Sequence, residues 1–246
     1  KEIAIDLETR DPNLLTMGSG SVRGDGEVIG IAVAVEGWSG YFPINHEGGG
    51  NMDRALVLDW FEEVLHTDAT KIFHNAMYDV SWIRSMGFQI RGGIIDTLIA
   101  ASLINENRWG YALNALGKEY VGMGKNEKIL QEAAKEWGID PKSEMWRLPA
   151  PLVGEYAEQD AVVTLKLWHA LQHEISKQDL WDVFNLETNL FPCLVDMKFK
   201  GVRVDVAKAE ATKAQLVNAE KEMHRDIQKL AGFDVEIWAA ASIAKA

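Results

Sequence analysis

The run Glu2-Ile3-Ala4-Ile5-Asp6-Leu7-Glu8-Thr9 reads as a β-strand, and the rest of the architecture follows from it. Side chains alternate across a strand with a period of two, so Ile3, Ile5 and Leu7 share one face while Asp6 and Glu8 share the other. Two carboxylates side by side call for an explanation, and the structural one is an edge strand with a wet polar face. Further strands are expected at Val28 to Val35 and Trp38 to Ile44, joined by the tight-turn pair Glu36-Gly37. A helix is expected from Asp53 to Leu65, with Leu56, Trp60, Phe61 and Val64 as its apolar residues, and a short strand at Lys71 to Phe73. Antiparallel strands followed by a helix and another strand predict an α/β fold, a mixed sheet with helices packed on it.

From Asp96 onward the pattern is helical. Helices are expected at Thr97 to Leu103, Ala112 to Tyr120, Glu127 to Trp137, Leu152 to Ser176, Leu180 to Lys200 and Val206 to Leu230. Pro141, Pro149 and Pro151 break the pattern between them.

The composition suits a folded protein with a sizeable core: of 246 residues, 47% are hydrophobic and 25% charged. Cys193 stands alone, which excludes an internal disulfide and a cysteine-cluster zinc site; beside Leu190 and Leu194 it reads as a packing residue. No apolar run reaches the roughly 18 residues that span a bilayer, and the start lacks a signal-peptide layout, so no membrane and a cytoplasmic location are expected; a monomer is expected as well. Without an initiator Met and opening inside a strand-like run, the chain reads as a piece of a longer protein. The net charge of −12 counts at first sight against a phosphate-bearing partner. That excess lies in residues 1–186, which hold 16 basic and 28 acidic side chains, whereas residues 187–246 hold 9 of each.

Two further segments carry polar groups in spacings that chemistry can use. His74-Asn75-Ala76-Met77-Tyr78-Asp79 follows a strand directly, with Asn75 placed to cap a new helix and Asp79 in its first turn. Tyr156 and Asp160 stack at i, i+4 early in the helix that begins near Leu152, where a Tyr–Asp hydrogen bond would be the simple reading.

In combination, the three segments resemble the motifs of the DEDD (DnaQ-like) 3′–5′ exonucleases, in the subclass whose third motif carries Tyr. Asp6-Leu7-Glu8-Thr9 is similar to the first motif, Asn75 with Asp79 to the second, and Tyr156 with Asp160 to the third. Asp96-Thr97 resembles the segment between the second and third. Leu186-Glu187 and the stretch from Leu194 to Asp205 are similar to the passage from proofreading to polymerase domain in family A DNA polymerases. The resemblance implies a ribonuclease H-like sheet flanked by helices, with a helical C-terminal extension. It also implies an exonuclease domain at 1–186 and the truncated start of a polymerase domain at 187–246.

Hydrolysis of a phosphodiester needs an activated water, a neutralised phosphate and relief for the leaving oxygen, which two divalent cations supply. Mg²⁺ prefers carboxylate oxygens, and Mn²⁺ is expected to substitute for it. By the family's pattern, Asp6 would bridge both ions, Glu8 and Asp160 would complete the first site, and Asp79 would hold the second ion through water. Tyr156 would orient the attacking water with Glu8, since a phenol of pKa near 10 suits positioning better than proton abstraction. Asn75, Thr9 and Leu14 are the candidate contacts to the terminal nucleotide, Leu14 as an apolar wedge. The expected partners are a single-stranded DNA 3′ end and, in the parent protein, a polymerase domain in cis.

Other features carry less. His169 and His173 sit at i, i+4, but Ala170 stands where a metalloprotease would place Glu. Gly124-Lys125 has Asn126 after it instead of the Ser or Thr of a phosphate loop. Trp60, Trp82 and Trp168 read as core. The rival readings are a free-standing RNase D-like exoribonuclease, against which the 186–205 segment argues, and a structural or DNA-binding module without catalysis. The presence of all four carboxylates and Tyr156 argues against the latter.

Overall fold

The computed structural model describes residues 1–124 and 127–246, so Lys125 and Asn126 of the discounted phosphate-loop stretch lie outside the described residues. Five strands form one sheet in the order β3-β2-β1-β4-β5. They are β1 (Glu2–Arg10), β2 (Glu27–Val35), β3 (Trp38–Pro43), β4 (Thr70–Phe73) and β5 (Ile94–Asp96). β1 runs antiparallel to β2 and parallel to β4, which makes the sheet mixed and puts β1 at its centre. The edge-strand explanation of its two carboxylates therefore fails.

The pairing of β1 with β2 slips between Glu8 and Thr9: Glu8 faces Gly30, whereas Thr9 faces Val28, so Ile29 is an extra residue on β2. This bulge sits beside one of the two carboxylates, and bulges bend a strand and redirect its side chains. β5 is the one strand the sequence does not announce. Its three residues are too short for a period and run straight into a helix.

The helices of the first unit are α1 (Leu14–Met17), α2 (Gly20–Arg23), α3 (Arg54–Leu65), α4 (Ala76–Ser85), α5 (Thr97–Ile104), α6 (Leu113–Leu116), α7 (Lys128–Trp137), α8 (Ala150–Lys177) and α9 (Trp181–Lys200). A π-helical turn at Gly117–Val121 continues α6, so the helix expected at 112–120 changes its winding midway. Pro149 and Pro151 stand at the start of α8, where a missing N–H costs nothing, and so open that helix as well as ending what precedes it.

Two cores form, one on each side of the sheet. Ala4, Ala32 and Ile72 belong to the core that includes Ala101 of α5 and Ala157, Ala161 and Leu165 of α8. Ile5, Leu7 and Phe73 belong to the other, with Val57 and Phe61 of α3 and Ile83 of α4. Burial in α3 follows Val57, Phe61 and Leu65 at i, i+4, i+8; of the expected apolar residues Phe61 is fully buried, Trp60 and Val64 are half-buried and Leu56 is 70% exposed. Cys193 is exposed, not packed. Phe191 and Val195 are the buried positions of that turn, and a residue two away from each points elsewhere.

The first compact unit runs from Lys1 to Phe199, so residues 187–199 pack with it. The second, Lys200–Ala246, contains α10 (Val206–Ala231) and α11 (Ala240–Lys245). Asp205 caps α10 by accepting the Lys208 N–H at 3.0 Å. Among the described residues, no helix is long and apolar enough to cross a membrane.

Candidate active site

Asp6 and Glu8 have the same parity as Ala4, which faces the core that α8 completes. α8 can approach the sheet closely because Ala157 and Ala161, both fully buried, are the residues it presents there. Asp160, on the same stretch and 3% exposed, is brought to the strand carboxylates. Asp6, Glu8 and Asp160 each offer a ligand atom, and these atoms lie within 4.8 Å of one another.

Tyr156, one turn before Asp160, hydrogen-bonds to that carboxylate. Burial pushes its phenol pKa well up, and the charges of Glu8, Asp160 and Asp6 push it further. The phenol therefore keeps its proton and can donate, but it cannot serve as a base at neutral pH.

Asp79, in the first turn of α4, joins through β1's backbone. Its Oδ1 accepts the Leu7 N–H at 2.9 Å, between Asp6 and Glu8 in sequence. Burial, and secondly the charge of Asp6, raise its pKa well above the ordinary carboxylate value. It is outside the tight trio of ligand atoms yet close enough for its titration to feel Asp6.

Asn75 takes the capping position of α4 in a left-handed conformation (φ 65°), but its side chain makes no cap. Asp96 caps instead. Its Oδ1 accepts from Asn75 N and Leu98 N, both at 2.9 Å, and its Oδ2 from Ala76 N at 2.8 Å. One buried carboxylate thus caps the starts of α4 and α5 together and leaves the exposed Asn75 side chain for other work. A cavity of about 460 Å³ opens here, lined by Asp6, Asp160, Asn75, His74, Tyr111 and neighbouring apolar residues.

Of the other candidate contacts, Thr9 donates its hydroxyl to Tyr78 Oη at 2.7 Å, and Tyr78 in turn donates to Asp11 Oδ2 at 3.2 Å. Burial raises the Tyr78 pKa to about 12. Asp11 also accepts the Gly20 N–H, which closes the loop carrying α1 onto α4. Leu14, on α1, is 40% exposed and is not among the cavity-lining residues. His169 contacts Glu2 at 2.7 Å, as an exposed surface pair does.

Two supporting groups escaped the sequence reading. The Tyr41 hydroxyl donates to His46 Nε2 at 2.6 Å, and His46 Nδ1 donates to the Leu148 carbonyl at 3.0 Å, just ahead of α8. Tyr41 passes over Gly30, the partner of Glu8, so closely that a Cβ there would lie 2.0 Å from its oxygen. A glycine in a strand is the only sequence sign of such a close approach.

Residues 1–176 match the family model described as 3′–5′ exonuclease, the exonuclease of family A DNA polymerases. The chain belongs to this family. Exonuclease domains of this kind use divalent metal ions, and the acidic trio is the corresponding feature here. The chain is 36% identical over its whole length to a DNA-directed DNA polymerase of Pseudomonas phage M6, and it spans 38% of that protein's length. Among solved structures, it is similar to Pol1 from M. smegmatis, determined with DNA primer-template and dNTP. That likeness has a TM-score of 0.63 and 14% identity, covering 99% of this chain and 36% of the other. Brucella melitensis NrnC gives a TM-score of 0.59 at 17% identity over 81% of this chain and 86% of its own. At these identities the structural likenesses speak for the fold alone, a mixed sheet flanked by helices of the ribonuclease H-like exonuclease type.

Proposed function

We propose that this exonuclease acts on unpaired DNA 3′ ends, releasing nucleoside 5′-monophosphates one at a time, and that it proofreads for a polymerase domain on the same chain. The observation that carries the reading is the convergence of Asp6, Glu8 and Asp160 within 4.8 Å beside a protonated Tyr156. Three carboxylates this close repel one another strongly unless cations share the site. The donor set is all oxygen, which suits Mg²⁺ or Mn²⁺ over softer metals. Asp6, Glu8 and Asp160 would hold one ion, and Asp79, tethered through Leu7, would serve a second with Asp6. When bound, such ions supply charge neutralisation at the phosphate and an acidified water.

The chain's own groups do the rest. Tyr156 donates its proton toward an oxygen in the site and so orients water against the phosphorus without removing a proton itself. Asn75, held outward by the cap from Asp96, meets the terminal nucleotide in the cavity. The cavity of about 460 Å³ would receive one unpaired nucleotide, so a frayed end is the substrate this reading assigns. Thr9 and Leu14 would be further contacts to the strand, Leu14 through its exposed apolar surface. In the functional division, residues 1–186 form the exonuclease and 187–246 open the polymerase domain. The protein works as a cytoplasmic monomer.

The test is a time course on a primer with a mismatched 3′ end, comparing wild type and Asp160→Ala with and without EDTA, on matched DNA and RNA strands. Release of mononucleotides from DNA by wild type alone, abolished by EDTA, is the expected result. A preference for RNA would favour the RNase D-like reading. No release in Mn²⁺ would leave a non-catalytic module.

A further inference from the structure

The loop between α5 and α6 carries the most exposed large apolar side chain of the described residues: Trp109, fully exposed at 107%. A tryptophan left in water at a mobile loop tip would be a liability, but this loop is pinned. The Tyr111 hydroxyl donates to the Asn105 carbonyl at 2.8 Å, closing the loop on itself. His74 Nε2 donates to the Tyr111 carbonyl at 2.9 Å, tying it to the end of β4. Arg108 makes a two-pronged bond to Glu119 at 2.8 and 2.5 Å, which engages the neighbouring cation. Tyr111, two residues after Trp109, forms part of the wall of the cavity that holds Asp6, Asn75 and Asp160.

We propose that Trp109 is a stacking platform for an unpaired nucleobase of the strand, next to the nucleotide that occupies the cavity. This rests on the reading of the chain as an exonuclease on unpaired ends. The electrostatics favour such a device. Residues 1–186 carry 16 basic against 28 acidic side chains, so counterion release from phosphates can supply little of the affinity. Stacking on an aromatic face does not depend on charge and accepts any base, as an enzyme that must remove any mispaired nucleotide requires. A side chain with only two rotatable bonds, on a loop already fixed, loses little entropy when a base settles on it.

The experiment is equilibrium binding of 5′-fluorescein-labelled (dT)6 in EDTA, read by anisotropy, for wild type, Trp109→Phe and Trp109→Ala. It is paired with kcat/KM in Mg²⁺ on (dT)6 and on the p-nitrophenyl ester of thymidine 5′-monophosphate. Trp109→Ala should weaken (dT)6 binding roughly 5- to 160-fold, the range that base–aromatic stacking spans. Its ratio of kcat/KM on (dT)6 to that on the ester should fall by a similar factor, through KM. Trp109→Phe should recover most of both, and the binding loss should persist in 0.5 M NaCl. Equal binding by wild type and Trp109→Ala overturns the proposal, as does a change confined to oligomeric state. Wild type that binds (dT)6 through Trp109 but hydrolyses neither substrate would overturn the exonuclease reading and leave the platform standing.

Discussion

Replacing Asp96 by alanine removes the acceptor for three backbone N–H groups at 2.8–2.9 Å and uncaps two helices at once. Hydrogen bonds to a charged group contribute about 1.5 kcal/mol each at the lower end, or about 4.5 kcal/mol for three. Burial takes part of this back, since it raises the Asp96 pKa in spite of the N–H groups that favour its ionised form. Cap deletions typically cost about 1 kcal/mol per helix, and N–H groups orphaned in a buried place add to that. A loss of about 3 kcal/mol is therefore expected. At 2–4 °C per kcal/mol for a chain of this size, the melting temperature should fall by roughly 6–12 °C. Asp96→Asn should lie between wild type and alanine, because its one carbonyl oxygen still serves two of the donors while its amide faces the third. The assay is thermal unfolding by circular dichroism without added metal, so that ion binding does not mask the difference. Exonuclease activity below the melting point should fall as well, because Asn75 and Asp79 lie on the segment that Asp96 anchors. An alanine variant melting within 2 °C of wild type would refute the double-cap argument.

Three other perturbations follow from the same geometry. Mg²⁺ or Mn²⁺ should raise the melting temperature of wild type, by the equivalent of about 2.7 kcal/mol at a hundred times Kd, and Asp6→Ala should abolish the rise; equal shifts in both proteins would count against the ion site. Gly30→Ala sets a Cβ 2.0 Å from the Tyr41 oxygen, so it should cost about 2 kcal/mol or more in denaturant unfolding and lower exonuclease kcat by disturbing Glu8 across the ladder; an unchanged unfolding midpoint would contradict the close packing. Burial lowers the His46 pKa, so as pH falls through about 6.5 the unfolded chain takes up the proton first and stability drains away below that value. In His46→Gln, the difference in unfolding free energy between pH 7.5 and 5.5 should shrink, and a pH response identical to wild type would show that His46 plays no part in it.

Much of the fold and of the site can be read directly from the residues. β1 and the β2–β3 hairpin follow from alternation and from Glu36-Gly37, and the long helices follow from their periodicity, with Pro149 and Pro151 marking the break ahead of α8. Asp6, Glu8, Tyr156 and Asp160 stand out because strand and helix periods put each pair on one face before any tertiary contact is known. Asn75 shows where this reasoning stops. A residue type that caps helices, in the capping position, leaves the cap to a carboxylate on another strand. β5 could not be foreseen for a related reason: three residues carry no period, and they become a strand only because β4 offers a parallel ladder.

By itself, then, the sequence determined which side chains share a face within each element, because that depends only on backbone geometry over a few residues. The α/β class, the carboxylate pairs and the helical second half belong to that category. Only the tertiary structure decided how those faces meet. Small residues at 157 and 161 let α8 come down on β1, a bulge set the partner of Glu8, and Asp96 crossed from β5 to fix the start of α4. Each is a contact between residues far apart in sequence, selected by packing and by the cost of leaving buried polar groups unpaired, and no local period encodes it.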